Sequence, residues 1–177
     1  MVERGSRGLL AAAGCVALAL AAAVSARPAS QVAGQIVPAA PTEIKATVPA
    51  DAGWFDTGID VVAGEELRFA ASGEIDLQRG NPAAVCGPEG LDLVTVEQPV
   101  PNANLGALIG RITQLVASRI DEDSGQEVRD EIFILFVIGP DGSITVPFKG
   151  RLFLGINENG VKDNAGEFSV VITRRPV

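Results

Sequence analysis

Asn157, Glu158, Asn159, Asp163 and Asn164 bring carboxylate and amide oxygens together within eight residues. A hard cation such as Ca²⁺ takes about six to eight oxygen ligands from carboxylates, amides, backbone carbonyls and water. The segment therefore has the chemistry of half a calcium site, although its spacing is not that of an EF-hand. Gly160 and Gly166 lie inside it and can supply backbone angles that other residues resist. The same composition also describes a long polar hairpin, because Asn, Asp and Gly are what turns are built from.

A second set of acids, Asp56, Asp60, Glu74 and Asp76, contains candidate carboxylate pairs for glycoside hydrolysis. That chemistry needs a definite separation across a cleft, which spacing alone does not supply, and solvated turns and strand faces explain these residues more simply. Histidine and tyrosine are absent from all 177 residues. This removes Ser-His-Asp and Cys-His catalysis and the usual zinc ligand sets. No phosphate loop, dinucleotide fingerprint or nucleophile elbow is present, so a non-enzymatic protein is expected.

The elements that must position the oxygen-rich loop read as strands. Leu152, Leu154 and Ile156 alternate with Phe153, Gly155 and Asn157 before the loop, and Phe168, Val170 and Ile172 alternate with Ser169, Val171 and Thr173 after it. Upstream, Ile44 to Val48 and Leu67 to Ala71 alternate in the same way, with Pro49 ending the first of these runs and Gly64 marking a turn. Trp54 is the only tryptophan and is expected to pack at the core or an edge. Residues 73–93 read as a long loop. The apolar run Ile132 to Ile138 reads as a strand buried on both faces. Between Leu105 and Ile120 the apolar spacing is helical, but Gly106 and Gly110 oppose a helix at its start. The reading is a strand over 107–112 and a helical or irregular insertion over 113–131. Seven or eight short strands with regular turns and little helix predict an all-β antiparallel sandwich of the jelly-roll kind.

Residues 1–26 have a basic start at Arg4 and Arg7, an apolar centre, and Val24-Ser25-Ala26 as a small-residue cleavage site. They are expected to be a signal peptide, or a membrane anchor if uncleaved. Residues 27–41, rich in Ala, Pro, Gln and Gly, read as a flexible linker, and 42–177 as the folded domain. Cleavage would remove two Arg and one Glu, moving the formal charge from -8 to -9. Such an acidic surface repels phosphate backbones and anionic lipid, which argues against nucleic acid and, after cleavage, membrane as partners. Only Cys86 would remain, so no disulfide closes within the mature chain. Stability must come from the core, from bound metal or from assembly into a homo-oligomer, and Cys86 is expected to be a small buried apolar residue.

Several runs together resemble the PA-I type of calcium-dependent, galactose-binding bacterial lectins and the exported jelly-roll domains similar to them. They are Gly64 to Gly73, Gly87-Pro88-Glu89-Gly90, Gly106-Ala107-Leu108-Ile109, Phe136-Val137-Ile138-Gly139, Gly155-Ile156-Asn157-Glu158 and Asp163 to Val170. The resemblance implies one Ca²⁺ held by Glu158, Asp163 and Asn164. Backbone carbonyls near Leu77, in an earlier loop, and at Gly160 or Val161 would complete the set. It further implies that two neighbouring sugar hydroxyls complete the metal's shell, with Asn157, Asp163 and Gln98 facing the sugar.

The chain departs from the family in having a shorter last loop and Glu158 where Asp is usual. Gln98 is only a loose counterpart of a sugar-contacting glutamine, no histidine accompanies it, and 113–131 has no counterpart. The function expected is that of an exported, calcium-dependent, lectin-like carbohydrate-binding module. The alternative is a structural or adhesion domain of the cell envelope, with a structural metal or none.

Overall fold

The computed structural model describes residues 41–95 and 98–175. The expected signal peptide and nearly all of the expected linker lie outside the described residues. Alternating apolar residues build nine strands: β1 (Thr42–Pro49), β2 (Trp54–Val61), β3 (Glu66–Asp76), β4 (Val85–Cys86), β5 (Leu108–Ile120), β6 (Glu127–Val137), β7 (Asp141–Thr145), β8 (Gly150–Ile156) and β9 (Ala165–Arg175). Among the described residues, helix is limited to single 3₁₀ turns at Pro82–Ala84 and Val161–Asp163, and no helix is long and apolar enough to cross a membrane.

The strands form two antiparallel sheets. In one, the order is β1-β9-β3-β4, with β7 also paired to β3; in the other it is β2-β8-β5-β6. The core lies between them. Val48, Leu67, Ile75, Leu108, Ile112, Leu152, Leu154, Ile156, Phe168 and Ile172 are all fully buried there, as two apolar sheet faces require. β1 and β9 run side by side from Thr42 opposite Arg174 to Pro49 opposite Glu167. Arg174 reaches Glu65 with its Nε at 2.5 Å and a second nitrogen at 3.1 Å, and also donates to the Asp60 carbonyl at 3.0 Å.

Three sequence expectations are corrected. Residues 113–131 are neither helical nor irregular: β5 continues to Ile120, and β6 returns from Glu127 in register, Ile112 opposite Ile134 and Ile120 opposite Glu127. A bulge between Leu115 and Ala117 shifts the alternation by one residue, and this is what made the spacing look helical. Secondly, β6 is not buried on both faces. It pairs only with β5 at the sheet edge, and Phe133 is 57% exposed. Thirdly, residues 73–93 are only partly loop, since β3 extends to Asp76 and β4 follows.

Candidate functional site

β8 ends at Ile156 and β9 begins at Ala165, so the oxygen-rich segment is the loop joining two neighbouring elements of opposite sheets. Its return is sharp because Gly166 adopts φ +88, and a Cβ there would fall 2.5 Å from the Glu74 carbonyl. Gly160, in contrast, has φ -103 and open space around it, so its lack of a side chain is not needed for the backbone path.

Within the loop, Asn164 bonds Glu158 directly, and Asp163 is near enough for its charge to act on the Glu158 carboxyl. The Asn164 side chain is fully buried, and its Nδ2 donates to Glu158 Oε2 at 2.7 Å and to the Ala50 carbonyl at 3.2 Å. Its Oδ1 is buried without a partner. Burial, with the charge of Asp163 adding to it, raises the Glu158 carboxyl above the usual value, against the lowering effect of the Asn164 hydrogen bond. Asp163 is exposed at the end of the 3₁₀ turn.

The turn following β3 packs against this loop. Arg79 donates from its backbone to the Asp163 carbonyl at 3.1 Å and from its guanidinium to the Asn164 carbonyl at 3.2 Å. Asp76 organises the turn by accepting from the backbone N–H groups of Gln78 and Gly80. Leu77 therefore belongs to the segment beside the loop. Its buried side chain approaches Gly106, where a Cβ would lie 2.7 Å from a Leu77 methyl and 3.0 Å from the Cys86 sulfur. Cys86 is buried, and its thiol is pushed up to about 11 by burial and by the nearby charges of Glu89 and Glu158.

Asn157 and Gln98 are placed differently from the sugar contacts the resemblance implied. Asn157 is fully buried; its Nδ2 donates to the carbonyls of Val100 and Asn104 at 3.1 and 3.0 Å, and its Oδ1 accepts from Val100 N–H at 2.8 Å. Gln98 is also buried, donating to the Val100 and Ala103 carbonyls and accepting from Thr95. Both side chains are committed to holding residues 98–104 against the end of β8. This is a positioning role that sequence spacing did not signal.

Asp56 and Asp60 both bind Arg151, at 2.9 and 3.0 Å, and Asp76 is engaged in its own turn. Among the described residues no group of three or more His, Cys, Asp or Glu side chains converges. A cation here would need amide and backbone oxygens beside the two carboxylates. The loop holds oxygen donors of the kind Ca²⁺ takes: two carboxylates, one of them partly buried at a cost, and a buried amide oxygen that lacks a donor.

No family model matches the chain, and no curated protein matches it. Among solved structures, the chain is similar to one described as "EclA N-terminal domain; PllA-like lectin", with a TM-score of 0.51 and 24% identity over 74% of this chain and 95% of that one. The likeness is one of fold.

Proposed function

We propose that this protein is an exported carbohydrate-binding module whose sugar site is built on Ca²⁺. The observation that carries the reading is the hydrogen bond of Asn164 to Glu158 beside the charge of Asp163, with the Asn164 Oδ1 buried and without a partner. The lectin-like fold supports it. The three side chains would hold the cation with backbone carbonyls from the Leu77 turn and from the Gly160 stretch. Bound there, Ca²⁺ supplies a positive centre that replaces water on two adjacent sugar hydroxyls.

The chain's own residues have separable jobs. The exposed Asp163 carboxylate accepts a hydroxyl proton in a hydrogen bond. Asn157 and Gln98 fix residues 98–104 as one wall. Arg79 ties the β3 turn to the loop, so that the two halves of the site do not drift apart. Titration calorimetry and a glycan array, each with and without chelator, test the reading: sugar signals should vanish on chelation and return with Ca²⁺. Glycan signals wholly indifferent to chelator would reject it.

The burial of Asn157 and Gln98 favours a second reading, an envelope or adhesion domain with structural metal and no sugar bound. A thermal shift with Ca²⁺ and silence on the array would select it.

A further inference from the structure

The outward face of the β2-β8-β5-β6 sheet carries a second place with the chemistry of a ligand site. Ile112, Leu152 and Leu154 point inward and are fully buried, so by alternation Thr113, Arg151 and Phe153 lie on the opposite face. Register sets Thr113 opposite Arg151 and Asp56 opposite Phe153. A hollow of ≈ 290 Å³ opens there, its lining including Asp56, Thr113, Arg129, Glu131, Arg151 and Phe153.

Four features converge. Thr113 is only 9% exposed, yet its Oγ1 is buried with no partner, an unmade hydrogen bond that a ligand hydroxyl would satisfy. Arg151 is held in a fork by Asp56 and Asp60, and the contacts on Asp56 from Arg151 and from Gly58 N–H both fall on Oδ1. Arg129 and Glu131 stand 3.8 Å apart, too far for a hydrogen bond, so neither is saturated by the other. The Phe153 ring is fixed by Arg111, whose guanidinium lies 4.8 Å from its centroid and 4.6 Å from that of Trp54.

Two arginines offset two carboxylates in the lining, within a chain of net charge -8. An ionic ligand of either sign gains no net attraction from such a balance. A neutral, polyhydroxylated ring does gain, because adjacent hydroxyls both donate and accept. They can meet carboxylate and guanidinium side by side while the ring's C–H face rests on an aromatic side chain. The volume is at the lower end for small-molecule pockets and suits one sugar ring. The geometry points to a second, metal-independent site for a neutral carbohydrate residue in this hollow, standing apart from the Glu158 loop and independent of whether that loop holds calcium.

The experiment is saturation-transfer NMR in excess EDTA with methyl glycosides of galactose, glucose, mannose and N-acetylglucosamine, beside a glycan array in the same buffer. At least one sugar should bind, Phe153→Ala and Thr113→Val should each weaken it about tenfold, and Glu158→Ala should leave it unchanged. Thr113→Val also removes an unpaired buried hydroxyl, so its Tm should rise by about 2–4 °C, which keeps the test decisive if Phe153→Ala folds poorly. No sugar signal from the unaltered protein in EDTA, or a signal that neither variant weakens, overturns the proposal. So does a dimer dissolved by Phe153→Ala in the absence of sugar binding, which would give this face to a second copy.

Discussion

Glu158 is the residue at which charge, burial and a candidate ligand set meet. Its carboxyl is held above the ordinary value of 4.5 by burial and by Asp163. A carboxyl so raised favours the folded state while protonated. Its contribution is whole below the unfolded value and is lost as pH climbs through the folded one. Without Ca²⁺, stability in urea should therefore decline as pH rises above 4.5, Glu158→Gln should flatten that decline, and millimolar Ca²⁺ should oppose it. Asp163→Ala, exposed and therefore mild for the fold, should weaken Ca²⁺ binding about tenfold in calorimetry. Glu65 behaves in the opposite sense. Burial pushes its carboxyl up, but hydrogen bonds from Arg174 and Val62 outweigh this and hold it below the usual value, so its contribution is present above the unfolded value and lost as pH falls through the folded one. Arg174→Ala leaves a carboxylate of 2% exposure unpaired and should cost about 3–5 kcal/mol in urea unfolding. The oxygen-bearing residues were legible from composition, because few side chains can ligate a hard cation. The burial of Asn157 and Gln98 was not legible, because a polar residue looks the same in sequence whether it faces a ligand or pins a distant loop.

At the scale of elements, strands with clean alternation were legible and those with a defect were not. β8 and β9 follow period two throughout and appear where the residues say. β5 carries a bulge at Leu115/Ala117, and a one-residue slip there imitates helical spacing. β6 illustrates a second limit, since a continuous apolar run marks burial only if something covers both faces, and coverage is a property of strand order. Here Ile132, Phe133 and Val137 are about half exposed on an edge strand that pairs with β5 alone. Such an edge invites pairing with another chain. Phe133→Lys should lower concentration-dependent association, read by light scattering, with little change in the unfolding midpoint. The loop turns are less tolerant. Gly166→Ala meets both an unfavourable φ of +88 and a carbonyl at 2.5 Å, and should cost about 1–3 kcal/mol while lowering Ca²⁺ affinity, because Asn164 lies two residues away.

For the whole molecule, the sandwich class followed from strand number and turn spacing, whereas the assignment of strands to sheets did not, because pairing over long separations leaves no local trace. β1 and β9 span one pair of neighbouring lanes, with Thr42 opposite Arg174 at one end and Pro49 opposite Glu167 at the other. Ala50, just past the second end, receives the Asn164 side chain. Entry and exit of the chain thus share one pole, and the candidate calcium loop occupies the other, about 25 Å away for eight extended residues. Thr42 and Arg174 both lie at the end of the domain away from the loop. Protein immobilised through a tag after Arg175 should capture ligand on a sensor surface as well as it does free in solution.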